Sequence, residues 1–295
     1  MARRIGGAIG IVALIAAIAA PDTAVGTDGL VWCHDAARDL VTRRAAEACR
    51  GRIIDDAAAE RVRTRREERI RRNFGGVRNA VPGRRRSGSG TGFFIASDGA
   101  LVTNAHVVAR CQAVTADAAD GASGPARVLG IDAENDLALL RAEIVPPAVA
   151  QFRRQRDPVA DEAVAVVGFP LHGRIAIRPV LVTGHVLAAP ATRANGTIRF
   201  RIRAGVRRGN SGGPVLDGRG RIIGIMAAKV HTPKTYQRTG RIVRDVGVAI
   251  PTETVFDFLD DHDQPFRRVA DAAPLSNQEI MARARLFVAR LVCWK

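Results

Sequence analysis

Gly209-Asn210-Ser211-Gly212-Gly213-Pro214 is the stretch around which the rest of the chain is arranged. Its glycines free the backbone for tight dihedrals while one hydroxyl is held between them. A serine alcohol is inert until a base takes its proton and nearby N–H groups receive the resulting oxyanion, so a base and its orienting acid should lie elsewhere in the chain. Thr103-Asn104-Ala105-His106-Val107-Val108 supplies a histidine, and Asn135-Asp136-Leu137-Ala138-Leu139-Leu140 supplies an aspartate. His106, Asp136 and Ser211, in that order along the chain, are the base-type, acid-type and nucleophile-type residues that a hydrolytic triad requires. The plainer reading, a helix-end histidine and a strand-end aspartate, leaves the glycine-framed serine unexplained.

Two further segments flank these three: Gly90-Thr91-Gly92-Phe93-Phe94 before the histidine and Gly247-Val248-Ala249-Ile250-Pro251 near the end. Together the five resemble the chymotrypsin-like serine proteases, most closely the HtrA/DegP-type branch of bacterial proteases, over roughly residues 87 to 260. The resemblance implies a mainly β, double β-barrel fold, with barrels at about residues 87–160 and 161–250 inside a protease domain of residues 83–265. It implies that Ser211 attacks a peptide carbonyl to give an acyl-enzyme, that His106 moves the proton, and that Asp136 orients His106. The N–H groups of Gly209 and Ser211 would form the oxyanion hole. Gly205 stands where trypsin-like enzymes place an aspartate, so cleavage after Arg or Lys is not expected; Gly205, Arg208, Met226 and Ala227 are the candidate pocket residues, suited to a modest apolar side chain. Arg207 and Arg208 could favour acidic neighbours or be solvated surface. Asn210 departs from the digestive relatives, whose aspartate pairs with a freed N-terminus, so zymogen activation of that type is not expected. Family members usually carry a PDZ domain after the protease; too few residues follow Pro251 for one here.

The chain has 295 residues, 47% hydrophobic and only 4% aromatic, which is enough for a sizeable core built from Val, Ile, Leu and Ala. The net charge of +16 is almost wholly arginine, lysine occurring only at Lys229, Lys234 and Lys295. Such a balance is compatible with an anionic partner. No RNP, zinc-finger or helix-turn-helix signature accompanies it, and aromatics for base stacking are scarce. A solvated arginine-rich surface is the expectation, with protein or peptide substrates rather than nucleic acid as partners; oligomerisation is left open. HExxH and CxxC spacings are absent, so neither metal nor cofactor is expected.

Residues 1–19 read as a secretory signal, with Arg3 and Arg4, an apolar run from Ile5 to Ile18, and Ala17-Ile18-Ala19 as a small-x-small cleavage site. The run is shorter than the roughly 20 residues that span a bilayer. Export to a periplasmic or extracellular, oxidising compartment would make disulfides of Cys33, Cys49, Cys111 and Cys293, with three possible connectivities. Local spacing favours Cys33 with Cys49, which leaves Cys111 for Cys293. Residues 20–82 are expected to be a helical arm and linker, the strongest helix lying over 55–73, where Gly and Pro are absent and Glu67/Arg71 and Glu68/Arg72 stand at i, i+4. Residues 82–90, rich in Pro, Gly and Ser around Arg84-Arg85-Arg86, read as an exposed linker. Strands are predicted at 92–96, 126–129, 137–141, 163–167, 180–187, 197–203 and 221–227, with Asn195-Gly196 as a hairpin turn. Residues 266–295 are predicted to form a C-terminal helix starting at a Ser276/Glu279 capping box, with Ile280, Ala284, Phe287, Val288 and Leu291 on one face. His34, His172, His185, His231 and His262 fall in no motif and are read as structural.

The function that follows is an exported serine endopeptidase, of use in protein quality control or processing. The alternative is a protease-fold binding module for unfolded or anionic partners, its triad idle.

Overall fold

The structure, a computed structural model, describes residues 29–36, 40–74, 81–154, 157–171, 178–230, 235–237, 240, 242–270 and 273–295, with 67–74 as backbone. The expected signal segment, His172 and His231 lie outside the described residues. The chain divides into two compact units, Met1–Gly76 and Val77–Lys295.

In the first unit β1 (Leu30–Asp35), β2 (Leu40–Ala45) and β3 (Arg52–Ile54) precede α1 (Asp56–Phe74). The strands form an antiparallel sheet in the order β2-β1-β3. The helix predicted over 55–73 is thus present, whereas the helical reading of the residues before it is corrected to a sheet. Leu30-Val31-Trp32 and Leu40-Val41-Thr42 are β-branched and aromatic runs that suit a pleated surface, Val31 and Cys33 alternate inward, and the Cys33–Cys49 disulfide ties β1 to the turn before β3. Ile54, Ala59 and Val62 pack with Trp32 and Val41 as this unit's small core.

The second unit opens with β4 (Arg86–Phe94), β5 (Ala100–Thr103), the short helix α2 (Ala105–Val108), β6 (Ala113–Ala118), β7 (Ser123–Asp132) and β8 (Leu137–Ala142). β9 (Gln151–Arg153) leads into β10 (Ala163–Gly168), β11 (Val180–Thr192), β12 (Ile198–Ala204), β13 (Pro214–Asp217), β14 (Ile222–Lys229) and β15 (Val246–Pro251). The chain ends with α3 (Thr252–Asp260), β16 (Arg267–Val269), α4 (Asn277–Ala284) and β17 (Val288–Trp294). The strand predictions overlap β4, β7, β8, β10, β11, β12 and β14. Gly196 takes φ +83° in the β11–β12 hairpin turn, as the Asn-Gly pair requires.

Two barrels result, giving the chymotrypsin-like double barrel. One closes in the order β17-β4-β5-β8-β7-β6. The other runs β13-β10-β11-β12-β15-β14 and closes by the β13–β14 pairing, with β9 and β16 added in parallel beside β14. Phe93, Phe94, Leu101, Leu139 and Leu140 fill the first, and Val166, Val186, Phe200, Ile202 and Val215 the second. Phe152 meets Phe256 and Phe266 edge-on at 5.4 and 5.5 Å, concentrating four of the chain's ten phenylalanines, with Phe93, at one junction.

The tail differs from its prediction. The Ser276/Glu279 capping box forms, with the Glu279 amide donating to Ser276 Oγ at 3.3 Å and the Ser276 amide to the Glu279 carboxylate at 2.8 Å. The helix nevertheless stops at Ala284, and Val288 and Leu291 are buried on β17. A short apolar run satisfies both periodicities, and here the open gap between β4 and β6 decides: β17 pairs antiparallel with both. Arg290, buried in that strand, is neutralised by Asp117 of β6 through Nε at 2.9 Å and Nη2 at 2.5 Å. The Cys111–Cys293 disulfide fastens β17 to the turn after α2. The expected linker is likewise partly strand, since Arg86 begins β4 and the Arg85 backbone exchanges hydrogen bonds of 2.8 and 3.0 Å with Lys295.

Candidate active site

His106 projects from α2, directly after β5, and Asp136 sits in the turn between β7 and β8. The backbone at Asp136 is left-handed, φ +57°, a conformation that Asp tolerates better than most residues. That turn brings the carboxylate under the imidazole: His106 Nδ1 lies 2.8 Å from Oδ2 and 3.0 Å from Oδ1, and the His106 amide donates to Oδ1 at 3.0 Å. Asn104 Nδ2 donates to the Asp136 carbonyl at 2.9 Å, fixing the turn to the helix start. With the carboxylate accepting from Nδ1–H, Nε2 is left with its lone pair. The imidazole is half exposed, open to a substrate.

Ser211 comes from the second barrel, at the start of the turn into β13. Gly209 has φ +96°, and a Cβ there would come within 2.2 Å of the Phe169 carbonyl oxygen, so the position demands glycine. Gly212, φ +81°, is equally confined, a Cβ meeting Thr103 Oγ1 and the Thr91 carbonyl at 2.1 Å. The Leu171 amide donates to the Arg208 carbonyl at 2.8 Å. Because C=O and N–H of a trans peptide point in opposite directions, that bond turns the Gly209 N–H to the other side. Neither the Gly209 nor the Ser211 amide has a protein acceptor among the described residues. Two neighbouring, unspent N–H donors beside a serine are what an oxyanion needs. The Ser211 hydroxyl donates to the Ala227 carbonyl at 3.2 Å, not to His106.

Asn210, 1% exposed, accepts the Arg207 amide through Oδ1 at 3.0 Å and so closes the loop from within. Of the candidate pocket residues, Ala227 touches Ser211 through its carbonyl. Met226 is buried in the second barrel's core, and its backbone holds Gly212 and Gly213 at 2.8 Å each. Gly205 is exposed, with only Val182 within 4 Å of a would-be Cβ, and Arg208 is exposed. No group of residues suited to a metal occurs among the described residues, and no described helix is long and apolar enough to cross a membrane.

Thr91 was not singled out by the sequence beyond its place in a motif. Fully buried on β4, it donates through Oγ1 to the Gly209 carbonyl at 2.6 Å and accepts the Phe169 amide at 2.9 Å, while its own amide donates to the Ser211 carbonyl at 2.8 Å. Thr103 Oγ1 in turn donates to the Thr91 carbonyl at 2.6 Å. The first barrel thus grips the nucleophile loop of the second.

Residues 90–225 match the profile described as a trypsin-like peptidase domain. The uncharacterized protein y4bJ of Sinorhizobium fredii is 34% identical over 207 residues, 70% of this chain and 32% of that protein. Serine protease HTRA4 of Mus musculus is 30% identical over 200 residues, 67% of this chain and 38% of that protein. Among solved structures, the HtrA-type protease AlgW with decapeptide aligns with a TM-score of 0.51 at 23% identity, covering 59% of this chain and 51% of that one, and shows the same fold. This chain spans about a third of the length of those two relatives.

Proposed function

From the match of residues 90–225 to the trypsin-like peptidase profile and the likeness to an HtrA-type protease, we propose that this protein is a serine endopeptidase working through His106, Asp136 and Ser211. The observation that carries the proposal is the pair of unspent amides at Gly209 and Ser211, in a loop whose Gly212 packs on Thr103 and Asn104, next to the His106–Asp136 pair. As an extended peptide docks, the Ser211 hydroxyl exchanges the Ala227 carbonyl for His106 Nε2. His106 takes the proton as Oγ forms its bond to the scissile carbonyl carbon, and the oxyanion is received by the two amides. The C–N bond then breaks, with the His106 proton passing to the leaving amine. Water, deprotonated by His106, releases the acyl group from Ser211. Asp136 keeps the proton on Nδ1 and balances the imidazolium.

β14 supports a polypeptide substrate. Beyond Met226, whose backbone is bonded to Gly212 and Gly213, its strand pairing among the described residues is with β15 alone, so the backbone of Ala227 to Lys229 offers an edge beside Ser211 for an added strand. Gly205, Arg208, Met226 and Ala227 are proposed to bound the specificity pocket. Without a carboxylate there, a peptide-library digest should show apolar residues before the cut, and a strong preference for Arg or Lys would refute that assignment. Export is proposed from the signal-like residues 1–19 and supported by the two disulfides.

The test of the reaction is a fluorophosphonate probe, which should label the wild type and not Ser211→Ala. A protease-fold binding module is the second reading, favoured by the hydroxyl's bond to Ala227. Folded wild-type protein that stays unlabelled at mildly alkaline pH would establish it over the endopeptidase.

A further inference from the structure

We infer that Arg199 is a positioning residue for Asp136: reaching across from the second barrel, its guanidinium holds the Asn135 carbonyl and so fixes the left-handed turn that carries the carboxylate. The inference rests on the triad reading above and adds to it a residue outside the triad.

Arg199, Arg201 and Arg203 alternate along β12 with Phe200, Ile202 and Ala204, which face the barrel core, so the three arginines leave the same outer face. Arg201 and Arg203 are exposed; Arg199 is drawn down to partial burial. Its Nη2 donates to the Asn135 carbonyl at 3.0 Å, and its Nη1 to the Ile198 carbonyl at 2.7 Å, which braces the guanidinium plane against its own strand. On the other side of the strained residue, Asn104 of the first barrel holds the Asp136 carbonyl at 2.9 Å. The two carbonyls that bracket Asp136 are therefore clamped by side chains, one from each barrel. A left-handed non-glycine residue persists only when its surroundings hold it there. Releasing the Asn135 carbonyl lets the 135–136 peptide rotate and swings the carboxylate away from His106 Nδ1.

Charge makes a second contribution. Burial pulls the Arg199 guanidinium below the ordinary arginine value, Asp136 and Asp132 oppose that shift, and Arg193 adds to it. An arginine keeps its proton in such a setting. A fixed positive charge beside Asp136 opposes the gain of further positive charge at the site, so removing it should move the acid limb of labelling to higher pH.

Arg199→Gln, Arg199→Met and Arg199→Lys are to be compared with wild type by the rate of fluorophosphonate labelling from about pH 5 to about pH 9, with circular dichroism to confirm folding. Arg199→Gln should label about tenfold more slowly at its plateau, with an acid limb roughly half a pH unit higher. Arg199→Met, which keeps the aliphatic stem on the barrel surface, should do the same and carries the test if the glutamine variant does not fold. Arg199→Lys should keep the wild-type limb and recover part of the rate. Neutral variants that label as fast as wild type with an unmoved limb overturn the positioning role. A lysine variant that shares the shifted limb overturns the charge contribution. Wild-type protein that does not label overturns the hydrolase reading, and this inference with it, so the two failures are told apart in the wild-type lane.

Discussion

Replacing Thr91 by valine keeps the branching of the side chain and deletes one hydroxyl. That hydroxyl donates to the Gly209 carbonyl at 2.6 Å and accepts the Phe169 amide at 2.9 Å, in a residue with no solvent exposure. Two buried backbone groups would lose their partners at once, each at a cost of about 1–2 kcal/mol, at the lower end for unsatisfied backbone groups, so a stability loss of about 2–4 kcal/mol is expected. For a unit of this size that lowers Tm by roughly 5–15 °C. The kinetic consequence is separate. The Gly209 carbonyl belongs to the peptide that follows the oxyanion donor, and losing one such donor costs about 2.7–4 kcal/mol of barrier. Partial loss of its aim should lower kcat by about 10- to 100-fold, with KM changed by no more than about threefold, because the donors act on the transition state. Steady-state peptide hydrolysis and thermal unfolding of Thr91→Val and Thr91→Ser measure both effects, and the serine variant should recover most of each. A valine variant with wild-type kcat would show that Thr91 does not hold the oxyanion loop.

Cys111→Ser combined with Cys293→Ser opens a link between residues 182 apart in sequence, and denaturant unfolding should show a loss of about 3–5 kcal/mol with the change confined to the second unit. Unchanged stability would mean that the strand pairing of β17 suffices alone. Glu279 should give the α4 end of the molecule a pH dependence. Its carboxylate is held below the ordinary value of 4.5, first by the Ser276 side-chain hydrogen bond and then by the Ser276 backbone amide. A depressed carboxylate contributes stability that is present above the unfolded value and lost as pH falls through the folded one. Amide exchange in α4 should therefore quicken below about pH 4.5 in wild type, whereas Glu279→Gln should exchange fast at neutral pH and respond little to acid.

The proposed triad was legible because chemistry restricts it. A serine between glycines is useless as a nucleophile without a base, so His106 and Asp136 could be sought by type and order, and the double barrel followed from the resemblance those segments carry. The parts that were not legible are those set by partners distant in sequence. Val288-Ala289-Arg290-Leu291-Val292 can be read at either period, and only the vacancy between β4 and β6 makes it a strand. The N-terminal sheet was hidden in the same way, its short strands being too brief to show alternation. Thr91 looks like any β-branched strand residue, since its Gly209 partner is 118 positions away. Arg199 is one of many arginines, and nothing local distinguishes it from its exposed neighbours Arg201 and Arg203; its burial comes from the Asn135 turn of the other barrel.

The closing strand β17 also sets an order of assembly. The second barrel, which carries Ser211, has all six of its staves once Pro251 has been synthesised. The first, which carries His106 and Asp136, lacks a stave until Trp294 has been synthesised. The strands around Ser211 can therefore be in place before the first barrel closes, but the loop that carries Ser211, gripped by Thr91 of β4, waits on the same event as His106 and Asp136. A chain caught part-way through synthesis would hold Ser211 in a loop not yet fixed and His106 in a barrel not yet closed. Closure by β17 thereby sets the serine loop and the His106–Asp136 pair in a single step.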